Sequence, residues 1–233
     1  MHTPSPQPRD TSQREQDQAG TQPLREGALK TEREEEFSRQ SHQLSAHHIL
    51  LTAALRQRLQ TSYPNWSVTP HQRDVVDHFS TARIAHEHAL LEPERAAQAV
   101  IQEERGLELF SRSVGNLARA TRSEPLQSTG GVDLTPHAIS TDSPSYQNEV
   151  VGTLWAVQSA VFLYRDNASL FSGLLKTLQQ NLHETSTMFH DEAIFHHVMF
   201  SILRAGSHPV AREQLLQAKW LGIEESDLPS LQG

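Results

Sequence analysis

The stretch VVGTLWAVQSAVFLY, residues Val150–Tyr164, decides the fold class of this chain. It is apolar on nearly every side and is interrupted by Gln158 and Ser159. A helix that is hydrophobic all round is a buried helix, and this stretch is shorter than the roughly 18–20 residues that cross a bilayer. The sequence therefore predicts a central core helix from Ser145 to Tyr164 and no membrane span.

Amphipathic helices are predicted on both sides of this central helix. Apolar residues at helical spacing, with capping signals at their ends, place them at about 31–60, 70–91, 93–122, 167–182, 184–205 and 209–221. Thr69-Pro70 is the clearest start, an N-cap followed by proline at the first helical position, and Thr31 with Glu34 has the spacing of a capping box. No stretch alternates as a strand does. The predicted fold is an all-α bundle of six or seven helices.

Two segments lack a helical pattern and set the predicted domain organisation. Residues 1–30 are rich in Pro, Gln, Ser, Thr and charge, and bury too little to offset their ordering entropy, so they are predicted to be a disordered tail. Residues 123–144 form a long loop or linker with Gly130-Gly131 and several prolines. Helical halves at 31–122 and 145–233 follow, and whether they form one compact domain stays open. The last ten residues, EESDLPSLQG, are predicted to fray.

The charge and the composition exclude several classes of protein. The net charge is −8 and no basic run occurs, which argues against a nucleic-acid or anionic-membrane partner. Without cysteine there is no disulfide, thiolate metal site or thiol nucleophile. The N-terminus lacks the apolar segment of a secretory signal, so we expect a cytoplasmic protein. The alternative is export without a cleaved signal peptide, which the scarcity of lysine (Lys30, Lys176 and Lys219) would suit, although genomic base composition also explains that scarcity.

The sequence contains 14 histidines, which raises the question of metal binding. Ligands on one helix have to be three or four residues apart to share an ion. His71, Asp74 and His78 stand at i, i+3 and i+7, so that Asp74 neighbours both histidines on one face. They predict part of a transition-metal site that another helix would complete. The alternative is that Asp74 simply forms a hydrogen bond with one histidine.

A second set, His183, His190 and His197, recurs every seven residues. Residues seven apart lie about 10.5 Å apart along a helix, too far to share an ion. We interpret them as solvated or packing histidines, with pH sensing as the functional alternative. A haem held by one axial histidine from this region needs no motif, so the sequence leaves it open.

The motifs of the common enzyme classes are missing from the sequence. There is no di-iron, zinc-protease, nucleotide-binding or hydrolase motif. Glu103 and Glu104 are adjacent acids and are interpreted as surface charge. Trp155 is predicted to lie in the core, whereas Trp66, between two helices, is either an interface anchor or a plug at a helix end.

These observations favour a non-enzymatic helical protein–protein interaction module without a cofactor: a regulator, an adaptor or an exported effector. Its partner would be a protein, with self-association as one form. The alternative is a metal- or haem-binding helical bundle, with or without enzymatic activity, that uses His71, Asp74 and His78 or a histidine of the 183–197 region.

Overall fold

Helices account for nearly all of the described chain. The computed structural model describes residues 22–122, 144–185 and 192–231, with side chains for 30–115, 148–181 and 198–231. The α-helices are α1 (Gln22–Ser62), α2 (Pro70–Leu91), α3 (Ala96–Arg122), α4 (Pro144–Tyr164), α5 (Ala168–Thr185), α6 (Glu192–Ala205) and α7 (Pro209–Gln217). No strand occurs within these ranges, so the predicted all-α bundle is confirmed. Among the described helices, none has the length and apolarity needed to pass through a bilayer.

Two units divide the chain within α1. The described part of the first, which ends at Leu44, is a helical stretch whose side chains from 30 to 39 are almost all exposed. Glu36 there pairs with Arg39 at 3.0 Å and accepts a hydrogen bond from Gln40 at 2.9 Å. The second unit, Ser45–Gly233, holds the hydrophobic core.

Helix α4 occupies the centre of that core, as its sequence predicts. It packs against α2, α3, α5 and α6. Its buried residues face every direction, and Val151, Leu154, Val157 and Val161 are fully buried. Because the stretch from Val150 to Tyr164 is buried on nearly every side, α4 is stable only when other helices surround it. One cluster of buried side chains draws members from both predicted halves of the chain.

Helix α2 begins where the sequence places it. The Thr69 hydroxyl accepts from the Gln72 backbone N–H at 3.2 Å, and the Gln72 side-chain oxygen accepts from the Thr69 N–H at 3.1 Å. With Pro70 in the first turn, this is a complete capping box. The helix ends at Leu91, and the 3-10 turn Pro93–Arg95 leads into α3.

Helix α1 differs from the prediction at its start. It begins at Gln22 rather than near Thr31, so residues 22–30 of the predicted tail are helical. Pro23 lies in the first turn, where its missing N–H costs nothing, and helix formers such as Leu24 and Glu26 carry the helix past Thr31. The rest of the predicted tail lies outside the described residues, as does the predicted loop up to residue 143.

The C-terminal segment is held down rather than frayed, which corrects the prediction for EESDLPSLQG. Arg212 of α7 donates to the Glu225 carboxylate at 2.7 Å and to the Pro229 carbonyl at 2.7 Å. Leu228 is 7 % exposed and joins the core. The last α-helix ends at Gln217, before the predicted end at residue 221, and a 3-10 turn, Lys219–Leu221, follows it. Gly222 ends that turn in the left-handed conformation, with φ 63°.

Candidate functional site

The residues of the predicted metal site all lie on α2. His71 and Asp74 are exposed and His78 is partly buried. Within the described part of the chain, no three His, Asp or Glu side chains form a group that could hold a metal ion. The side chains of residues 183, 190 and 197 lie outside the described set. Metal or haem binding therefore stays a prediction.

Trp66 lies inside the protein. It is 2 % exposed, and its ring packs against Trp155 with 6.2 Å between centroids at a tilt of 59°. The Trp155 indole N–H donates to the Thr52 carbonyl at 2.9 Å, which fastens α1 to α4. This places Trp66 where the plug interpretation expects it, since an interface anchor has to be accessible on the surface.

His71 lies at a cleft between the N-terminal halves of α2 and α4, with α3 behind them. The cleft measures about 400 Å³. Its polar lining includes Thr69, His71, Gln72, Ser113, Asn148 and Glu149. Val75 and Ala156 add apolar surface. Sequence spacing on a single helix could not reveal this cleft, because its walls come from residues far apart in the chain.

The Gln72 side chain joins the two helices that border the cleft. While its oxygen completes the cap of α2, its Nε2 donates to the Asn148 carbonyl of α4 at 3.1 Å. The amide lies directly over Gly152: a Cβ added there would stand 1.8 Å from the Gln72 nitrogen. The absence of a side chain at Gly152 is what allows this close approach.

A second polar arrangement surrounds Arg83, which is buried on α2. Its guanidinium contacts the Glu87 carboxylate at 2.8 and 3.0 Å, donates to the Leu163 carbonyl at 3.1 Å and pairs with Asp166. Asn167 caps α5 by accepting from the Leu170 N–H at 3.0 Å. We call Arg83, Glu87 and Asp166 the Arg83 cluster. It ties α2 to the end of α4, and a buried arginine needs such partners.

His48 and His86 are both largely shielded from solvent. His48 of α1 is 3 % exposed, and burial, with Arg83 and His47 nearby, lowers its pKa to about 4. His86 of α2 pairs through Nδ1 with the Glu103 carboxylate of α3, and both are largely shielded. Glu103 is therefore a packing partner, and its interpretation as surface charge was wrong. Only the fold, which brings α3 beside α2, could show this.

Bulky aliphatic side chains are exposed where α2 turns into α3. Leu90 and Leu91 are 66 % and 57 % exposed, and Val100 and Ile101 are 52 % and 62 % exposed. We call these four residues the apolar corner. In the sequence between Leu91 and Val100, Glu92 forms an ion pair with Arg95.

The pairing of α2 with α3 shows that these four residues lie at one level of the bundle. A Cβ on Gly106 would stand 3.2 Å from that of Ala82, and His86 pairs with Glu103, so the helices run antiparallel with a fixed register. When this register is extended along both helices to the turn, Leu90 lies opposite residues 98–99. Val100 then lies opposite residues 88–89. At 1.5 Å per residue, the four side chains span only about 5 Å along the helix axes.

Comparisons with protein-family models, with curated proteins and with solved structures find no match to this chain. Any function proposed for this chain therefore rests on its own structure.

Proposed function

We propose that this chain is a non-enzymatic helical protein–protein interaction module that docks a protein partner through the apolar corner. The observation that carries the proposal is the exposure of Leu90, Leu91, Val100 and Ile101, each more than half exposed at the same level of two packed helices. Single exposed aliphatic residues are ordinary, whereas several of them at one level of a helix pair favour an interaction surface.

The rest of the bundle supports a surface role for this corner. Ala99, which precedes Val100 in α3, is 3 % exposed. One face of α3 is therefore buried at this level, while Val100 and Ile101 face outward. The exposure is therefore a property of a well-packed helix pair and not of a loose end. The net charge of −8 favours a partner whose rim carries basic residues.

The experiment places a photo-crosslinking phenylalanine analogue at Leu91 in the full chain expressed in its native host. The matched control carries the same analogue at Leu50, which is 71 % exposed on α1. We expect a discrete protein adduct from the Leu91 position that the Leu50 position does not give, and competition by the unlabelled chain. Adducts of a second copy would identify self-association as the form of docking.

A double variant tests whether the corner supplies the binding free energy. Leu91→Ser with Ile101→Ser removes apolar area from the corner, and Ile49→Ser with Leu50→Ser removes a similar area from α1. Loss of the adducted partner in co-purification with the first variant, at unchanged helix content by circular dichroism, supports the proposal. Equal retention by both variants, or no specific adduct, contradicts it.

A further inference from the structure

The cleft of about 400 Å³ has the size of a small-molecule site and a polar lining. Hydroxyl, amide and imidazole side chains line it, and Glu149 of α4 is the one carboxylate among the described residues at its wall. Neither lysine nor arginine is among the described residues that border it. An anionic ligand would meet the Glu149 carboxylate without any cation to balance it, so the lining disfavours anions.

Ser113 of α3 supplies a hydroxyl to the lining of the cleft. The residue is 7 % exposed and lines the cleft. Its hydroxyl makes no hydrogen bond with any residue that the structure describes, although neighbouring Ser111 bonds to Asn181. A hydroxyl left without a protein partner at the wall of a cleft is suited to a ligand.

The Gln72 amide provides a second group, and it is held in place before any ligand arrives. Its oxygen and one of its two N–H bonds are engaged with Thr69 and Asn148. The residue is 9 % exposed, and its contact with Gly152 limits its movement. The second N–H has no partner among the described residues and remains for a ligand at no further cost in side-chain entropy.

We infer that this cleft binds a small neutral polyhydroxylated molecule of the size of a monosaccharide or a cyclitol. Each hydroxyl of such a ligand both donates and accepts. The ligand can therefore accept a hydrogen bond from the second Gln72 N–H and donate one to the Glu149 carboxylate. With the Ser113 hydroxyl it can either donate or accept. Val75 and Ala156 supply apolar contact for its C–H groups. The site is distinct from the apolar corner and does not depend on docking of a protein there.

The test is an NMR titration of the ¹⁵N-labelled full chain with myo-inositol and with D-glucose. Phosphate and L-arginine amide serve as the anionic and cationic probes. Because a single ring with few apolar contacts binds at millimolar Kd, the titration extends to about 50 mM. We expect saturable shifts confined to residues 69–75, 113 and 148–156 with at least one of the two polyols.

Variants connect the shifts to the cleft. Ser113→Ala removes only the hydroxyl and should weaken polyol binding about tenfold, the effect of one lost hydrogen bond. Ser172→Ala, on the exposed face of α5, is the matched control and should bind like the unaltered chain. The inference is overturned by non-saturable shifts with both polyols, by equal affinity of the Ser113→Ala variant, or by saturable binding of only a charged probe.

Discussion

The Tyr164 hydroxyl lies over the backbone of Gly106, 2.7 Å from the point where a Cβ would stand. Tyr164 is fully buried, its hydroxyl has no hydrogen-bond partner among the described residues, and burial raises its pKa. Gly106 is thus the residue that makes room for the Tyr164 ring in the groove between α3 and α4. A glycine that weakens the helix locally is retained where a neighbouring side chain needs the space.

This contact predicts opposite effects of two substitutions. Tyr164→Phe removes an unsatisfied buried hydroxyl and should raise the free energy of unfolding by about 1 kcal/mol. Gly106→Ala gains helix propensity but forces the hydroxyl and Ala82 to shift, and should lower it by about 1–2 kcal/mol. Urea unfolding followed by circular dichroism measures both changes.

The double variant decides whether the hydroxyl causes the clash. With Tyr164→Phe present, the nearest ring atom lies 4.0 Å from the new Cβ. Gly106→Ala should then cost at least 1 kcal/mol less than it does alone, a coupling of about the size expected for residues in contact. Strict additivity of the two changes would show that the clash lies elsewhere, for example with Ala82.

A second glycine prediction concerns the cleft. Gly152→Ala should displace the Gln72 amide, break its bond to Asn148 and disturb the cap of α2, lowering the free energy of unfolding by about 1–3 kcal/mol. Gly115→Ala is the matched control, because no atom of the described residues lies within 4 Å of its added Cβ. That control should gain about 1 kcal/mol from helix propensity. If both variants are stabilised equally, Gln72 is not fixed over Gly152.

Particular residues show how much of this structure the sequence could predict. The apolar run 150–164 and the Thr69-Pro70 start were sufficient for the central helix and for the beginning of α2, because both signals are local. The Arg83 cluster, the pairing of His86 with Glu103 and the cleft could not be predicted. Their members come from separate helices, and the pairing of helices is set by tertiary packing that periodicity does not encode.

The Arg83 cluster makes a prediction about ion pairs. Arg83→Leu leaves the Glu87 and Asp166 carboxylates without their cation and frees the Leu163 carbonyl. Because Glu87 and Asp166 keep 28 % and 41 % of their side-chain surface exposed, solvent compensates part of the loss. We expect a fall of about 3 kcal/mol in the free energy of unfolding.

The control is the ion pair of Arg112 with Glu108, whose side chains are 68 % and 59 % exposed. Arg112→Leu should change the free energy of unfolding by less than about 0.5 kcal/mol, since exposed pairs contribute little. Chemical unfolding of both variants at the same ionic strength gives the comparison. Similar losses from the two substitutions would mean that Arg83 is not held as the structure shows.

The buried imidazole of His48 predicts how stability depends on pH. Its pKa is lowered from 6.5 to about 4 in the folded state, with burial as the first cause and the positive charge of Arg83 as the second. Below pH 6.5 the unfolded chain therefore binds a proton at His48 that the folded chain does not. The contribution of His48 to stability is fully present above pH 6.5 and is lost as the pH decreases towards 4. His88, whose pKa burial also lowers, contributes in the same direction.

A His48→Gln variant isolates this contribution, because it keeps a polar side chain that does not titrate while leaving His88, His47 and the Arg83 cluster unchanged. Melting temperatures of both proteins between about pH 7.5 and pH 4.5 measure the difference. The unaltered chain should lose several degrees more than the variant over this range, and the gap should open below pH 6.5. Parallel curves would show that His48 takes up a proton in the folded state as readily as in the unfolded one, which a buried position beside Arg83 does not allow.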